Sequence, residues 1–178
     1  GGINIYDVTV QVSDGTNTDT QAMAVTVTNL NDIAPVITSN GGGATAGVSV
    51  AENSTAVTTV TATDADGTTT YTYSISGGAD ATKFAIDAST GALAFVSAPN
   101  FDVAGDADAD NVYDVVVQVS DGTNVDTQAI AVTVTGVNDN TPAITSNGGD
   151  ATAGVSVAEN ATAVTTVTAS DADQGTGS

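Results

Sequence analysis

The chain has 178 residues and a formal net charge of −20, with 21 acidic side chains against one base, Lys83, and no Arg, His or Cys. That balance excludes nucleic-acid binding, because neutralising phosphates takes Lys and Arg, and it opposes docking on anionic lipid. The missing His and Cys exclude disulfides, thiolate metal sites and the usual nucleophile and base sets, so no enzyme is expected.

Tyr6, Val8, Val10 and Val12 alternate with Asp7, Thr9, Gln11 and Ser13, and Met23, Val25 and Val27 resume the pattern beyond Ser13-Asp14-Gly15-Thr16-Asn17. A period of two in Val- and Thr-rich runs predicts half-buried antiparallel strands, and the Asp-Gly stretch between them predicts a hairpin. Further strands are expected near 34–38, 47–51, 56–63, 70–76, 84–86, 92–96, 112–119 and 128–136, with helical character limited to one turn at Asp80-Ala81-Thr82-Lys83. The Gly- and Ser-rich stretches 39–47 and 146–154 read as loops, and Pro35 and Pro142, each after an Asn-Asp pair, suit extended boundaries.

Short strands separated by Gly, Asn and Asp turns predict an all-β, immunoglobulin-like Greek-key β-sandwich. Its expected core is Tyr71, Tyr73, Ile75, Phe84, Ile86, Leu93, Phe95, Tyr113, Val115 and Val117. With aromatics at 4%, that core is thin and stability is small, so a ligand bound only by the folded state would add to it. No run reaches the roughly 18 apolar residues of a membrane span, and the first residues lack the order of a signal peptide. No membrane insertion is expected in this segment, and any export or anchoring signal is expected outside it.

Residues 5–66 return as residues 112–173, a shift of 107 positions, with the acids in register. The only two glutamates, Glu52 and Glu159, sit in the same Ala-Glu-Asn tripeptide. Asp14-Gly15 returns as Asp121-Gly122, Asn31-Asp32 as Asn138-Asp139, and Asp64-Ala65-Asp66 as Asp171-Ala172-Asp173. A tandem array follows: residues 1–33 form the end of one unit, 34–140 a complete unit, and 141–178 the start of the next, an excerpt of a longer protein.

Hard divalent cations take six to eight oxygens, several of them from carboxylates. Taken singly, Asp64-Ala65-Asp66-Gly67 reads as a solvated turn, Asp121-Gly122 as a hairpin turn, and Asn138-Asp139 as a linker. Taken together, twice in register, they read as an oxygen-rich cation site. Asp106-Ala107-Asp108-Ala109-Asp110 opens like a helix-loop-helix calcium loop but has Asn111 at the sixth position and Val117 at the twelfth, so a flexible acidic loop is expected, with a local extra ion as the alternative. Paired carboxylates for glycoside hydrolysis lack a Trp to line the cleft. Asn53-Ser54-Thr55 and Asn160-Ala161-Thr162 match a glycosylation acceptor, yet both Asn residues belong to the Glu-Asn motif, which points to a structural role.

Val50-Ala51-Glu52-Asn53, Asp64-Ala65-Asp66, Phe84-Ala85-Ile86-Asp87 through Thr90-Gly91-Ala92-Leu93, Tyr113 through Asp121-Gly122, and Val137-Asn138-Asp139-Asn140-Thr141-Pro142 together resemble the cadherin repeat, particularly the cadherin-like repeats of large bacterial surface proteins and adhesins. The resemblance implies calcium between successive units. After the complete unit the implied ligands are Glu52, Asp102, Asn138, Asp139, Asn140, Asp171 and Asp173; before it they are Asn31, Asp32, Asp64, Asp66 and Asp121. Glu159, the repeat copy of Glu52, belongs to the same set. The chain departs from the family where Asn29 or Gly136 stands for a linker Asp and where Ile33 stands opposite Asn140, which implies unequal junctions.

The implied function is a calcium-stiffened extender or adhesive shaft, extracellular on a cell surface or secreted into a matrix, of the biofilm type. Its partners would be adjacent repeats of the same chain, like chains, or surface glycans and proteins. Two rivals stay open: a self-assembling filament or surface layer, and a carbohydrate- or protein-binding sandwich.

Overall fold

In the computed structural model, which describes residues 4–67 and 70–173, the alternating runs become paired strands. The first two, β1 (Asn4–Ser13) and β2 (Thr18–Val27), form an antiparallel hairpin pairing Tyr6 with Val25 and Ser13 with Thr18. Asp14 Oδ1 accepts the N–H groups of Thr16 and Asn17 at 2.8 and 2.7 Å, closing the turn as its sequence predicts.

The central part holds β3 (Val36–Ile37), β4 (Thr45–Ala51), β5 (Ala56–Thr59), β6 (Ala62–Thr63), β7 (Thr72–Gly77), β8 (Phe84–Ile86), β9 (Ala92–Phe95), β10 (Val112–Ser120) and β11 (Val125–Thr135). One sheet has the order β4-β11-β10-β7, the other β5-β9-β8, and β3 pairs with β6. Among the described strands only β4 runs parallel to its neighbour, with Val48 opposite Val132. The sheets are open, and the side chains of both meet in one core, an all-β, immunoglobulin-like sandwich.

Seven of the ten expected core residues are buried, and the other three, Tyr71, Ile75 and Ile86, are partly buried against them. Phe84 stacks on Phe95 at 4.6 Å between centroids, and Tyr113 meets Phe95 edge-on at 5.1 Å. Alternation on β10 and β11 buries Val115, Val117, Val119, Ile130, Val132 and Val134 on the same side. The expected turn at Asp80–Lys83 is a short 3-10 turn over Ala81–Lys83.

The single strand expected over 56–63 divides at Val60. The segment leaves β9 for β3 there, because Val60 N–H turns to Gly91 O at 2.8 Å while Thr61 O accepts from Thr38 N–H at 2.9 Å. Gly91 has φ +72°, and a Cβ on it would collide with the Val60 carbonyl, so this crossing requires glycine. The loop expected at 39–47 contains a 3-10 turn, Ser39–Gly41, against which the buried Gln128 amide bonds Ser39 O and Gly43 O at 3.3 and 2.8 Å.

Beyond the sandwich, β12 (Ala143–Ile144) pairs with β13 (Ala169–Ser170) in the register of β3 with β6, and a 3-10 turn over Ser146–Gly148 copies the one at Ser39–Gly41. The β1–β2 hairpin likewise repeats the β10–β11 register, with Tyr6 opposite Val25 as Tyr113 is opposite Val132.

Candidate metal centre

The Ala-Glu-Asn tripeptide ends β4. Glu52 N–H bonds Thr135 O at 2.9 Å, and Asn53, in the left-handed region at φ +63°, turns the chain so that its N–H reaches Pro99 O at 3.0 Å. This places the Glu52 carboxylate, 3% exposed, between a loop and the segment after β11. Its Oε2 accepts from Phe101 N–H and its Oε1 from Val137 N–H, both at 2.7 Å. Charge-assisted bonds of this kind hold an anion without any basic side chain.

Around that carboxylate the sequence-predicted residues gather. Glu52, Asp102 and Asp139 each present an oxygen within 4.8 Å of the others. Asn53 Nδ2 steadies Asp139 Oδ2 at 2.5 Å. Asp173, 7% exposed, joins through Asn140, whose backbone N–H donates to Asp173 Oδ2 at 2.7 Å and whose Nδ2 donates to Asp173 Oδ1 at 2.8 Å. Asp171 Oδ1 in turn accepts Asp173 N–H at 3.1 Å. Burial, then the charges of Asp173 and Glu52, push the Asp102 carboxyl above the ordinary carboxylate range, against the lowering pull of the Asn140 amide. The Asn140 side chain holds Asp173 below that range.

Near residues 29–33, Asp64, Asp66 and Asp121 are held by hydrogen bonds, but with Asp32 they form no group of three converging acids among the described residues. Asp66 N–H bonds Asp64 Oδ1 at 2.7 Å, and Asp66 Oδ2 accepts the N–H groups of Asp32 at 3.0 Å and Ile33 at 2.7 Å. Asn29 Nδ2 donates to Asp66 O at 2.9 Å and Asn31 Nδ2 to Thr123 Oγ1 at 3.4 Å. Asp121 Oδ1 accepts from Thr123 and Asn124 N–H, both at 2.7 Å, and the Asn124 N–H is the main cause of its lowered pKa. Asp64 Oδ2 is buried without a hydrogen-bond donor. An orphaned carboxylate oxygen is costly, and a cation would satisfy it.

Of the remaining sequence-predicted residues, Asn138 and Glu159 are exposed, and neither belongs to a converging acidic group among the described residues. Asp106, Asp108 and Asp110 do converge within 4.8 Å. In this loop Asp106 Oδ2 accepts Asp110 N–H at 2.8 Å, Asp110 Oδ1 accepts Val112 N–H at 2.8 Å, and Ala109 and Asn111 take left-handed backbone at φ +63° and +64°. The buried Asp80, which the sequence reading missed, pins this loop to the sandwich: its Oδ1 accepts from Ala107 N–H at 2.8 Å and its Oδ2 from Asp114 N–H at 2.9 Å.

The donor set suits a hard cation. All converging side-chain groups are carboxylates or amides, and the only base, Lys83, forms no ion pair with them among the described residues. Clustered oxygens with unneutralised charge fit a divalent cation such as calcium and offer nothing to a soft metal. No described helix is long and apolar enough to cross a membrane.

No protein-family model and no curated protein matches the chain. Solved structures do. A protocadherin GammaB4 extracellular domain aligns with 79% of this chain at 24% identity and TM-score 0.60, the chain spanning 22% of that structure. Mouse Protocadherin-24 EC1-3 aligns with 96% at 23% identity and TM-score 0.63, the chain spanning 57% of it. Human CDH23 EC21-23 aligns with 94% at 17% identity and TM-score 0.64, the chain spanning 54% of it. The chain is thus much shorter than the structures it resembles, and the likeness at these identities is one of fold: the sandwich has the fold seen in those cadherin domains.

Proposed function

We propose that this chain is a stretch of tandem cadherin-like units, divided at 1–33, 34–140 and 141–178, whose junctions bind calcium and serve as the extender or adhesive shaft of an extracellular surface or matrix protein. The observation that carries this reading is the convergence of Glu52, Asp102 and Asp139, within 4.8 Å of one another, with Asp173 tied to the same place through Asn140. These acids come from three separate stretches of chain: the end of β4, the loop before β10, and the linker. Asp173 adds the segment beyond it.

Glu52, Asp102, Asp139, Asp171 and Asp173 would hold the ion after the complete unit, with Asn138 and Asn140 completing the linker. Asn31, Asp32, Asp64, Asp66 and Asp121 would hold the one before it, and Glu159 would belong to a junction further on. Bound calcium supplies positive charge that cancels carboxylate repulsion. The chain's own residues would hold each set in position: backbone N–H bonds to Glu52 and the amides of Asn53 and Asn140 at the later junction, and backbone N–H bonds to Asp66 at the earlier one. Extracellular modules bind calcium at about 10⁻⁴ to 10⁻³ M, which matches an external medium of millimolar calcium. A non-catalytic structural role agrees with a chain that lacks His and Cys.

Calorimetric titration with calcium of the wild type and of a variant carrying Asp171→Ala and Asp173→Ala tests the assignment. The variant should lose binding at one class of site. Identical isotherms would overturn the placement of these residues at a junction.

A further inference from the structure

Three carboxylates beside the linker, Asp102, Asp139 and Asp173, are held in hydrogen-bonding range of a single neutral amide. Asn140 Nδ2 donates to Asp102 Oδ2 at 2.8 Å, to Asp173 Oδ1 at 2.8 Å and to Asp139 Oδ1 at 3.1 Å. Its backbone N–H adds the 2.7 Å bond to Asp173 Oδ2. An NH₂ group carries two protons, so three acceptors share them, and bonds to ionised acceptors are about twice as strong as neutral ones. No basic side chain competes for this place among the described residues.

One repeat earlier the same position is Ile33. Its backbone N–H makes the corresponding bond to Asp66 Oδ2, also at 2.7 Å, but its side chain offers no donor and is 47% exposed. The backbone half of the arrangement is present at both linkers. The side-chain half exists only at Asn140.

We propose that the Asn140 side chain is an ion-independent clamp: its amide holds the linker closed against Asp102 and Asp173 when calcium is absent, so this junction keeps its angle without the ion while the Ile33 junction does not. The clamp deepens the calcium-junction reading but acts through bonds that need no metal. Asn140 is a positioning residue here, since it acts by placing carboxylates. Calcium dependence of shape would then concentrate at the Ile33 junction.

The full chain has no cysteine, so Ala85→Cys and Ala163→Cys, both at exposed positions, supply unique sites for spin labels on either side of the linker. Pulsed electron resonance in chelator and low salt should give one narrow distance for the otherwise wild-type chain. Asn140→Ile, which copies the earlier linker, and the isosteric Asn140→Asp, which carries no amide donor, should both lose that narrow distance. Both should regain it in part as salt rises, because screening weakens the repulsion the amide had offset.

A broad distribution in the wild type, a narrow one in either variant, or a broadening indifferent to salt would overturn the clamp, the last by showing a steric role. Because every arm is run in chelator, failure of the calcium reading is seen separately, as absence of calcium binding by calorimetry.

Discussion

Glu52 Oε1 accepts the backbone N–H of Val137 at 2.7 Å across 85 residues of sequence, and this bond fixes where the chain leaves β11. The second oxygen fixes Phe101 in the same way. One buried carboxylate therefore positions two backbone segments, one carrying Asp102 and the other leading to Asp139. Replacing Glu52 by Ala would leave the part-buried N–H groups of Phe101 and Val137 without this acceptor, each costing less than the about 1–3 kcal/mol of a fully buried orphan because water can reach it. Thermal unfolding in chelator should show this loss, and calcium titration should show weakened binding. Glu52→Gln keeps the shape but only one acceptor oxygen, its NH₂ facing the other N–H donor, so it should recover part of the lost stability while still binding calcium less tightly.

Asp80 offers the opposite case. It is buried at 3% exposure, and its two oxygens take the N–H groups of Ala107 and Asp114, but among the described residues it belongs to no group of converging acids. Asp80→Ala should destabilise the sandwich by about 1–3 kcal/mol through the donors it orphans, with the same loss measured in calcium and in chelator. A loss seen only in calcium would show that the loop at 106–110 works through a bound ion instead.

The strands and the core were legible because alternation is a local signal: Tyr113, Val115 and Val117 on β10 declare their face in the sequence, and the structure buries all three. The crossing at Val60 was not legible. Thr59 to Thr63 alternate straight through it, and what divides the strand is a pair of distant carbonyl and N–H groups at Gly91 and Thr38. Asp80 was missed for a similar reason, since its partners are backbone N–H groups that leave no mark on residue type. At the acidic groups, the repeat showed that Glu52, Asp139 and Asp173 recur with their neighbours, but only the family resemblance pointed to Asp102. The tie between Asn140 and three carboxylates needed coordinates, because an Asn in a linker is equally at home in a bare turn.

Acid sensitivity provides a test of local structure free of any metal. Asp87 Oδ1 accepts Thr90 N–H at 2.8 Å and Ser89 N–H at 3.0 Å, closing the turn between β8 and β9. These bonds, that of Thr90 foremost, hold its pKa below the ordinary 3.8. A carboxyl whose folded pKa is depressed stabilises the fold fully above its unfolded pKa, and the contribution disappears as pH falls through the folded value. Wild type and Asp87→Asn should therefore differ in unfolding midpoint by a constant amount from neutral pH down toward that ordinary value, with the gap closing below it. Denaturant titrations in chelator across this acid range would measure it. A gap that stays constant into strong acid would show that the Asp87 charge contributes nothing to the turn.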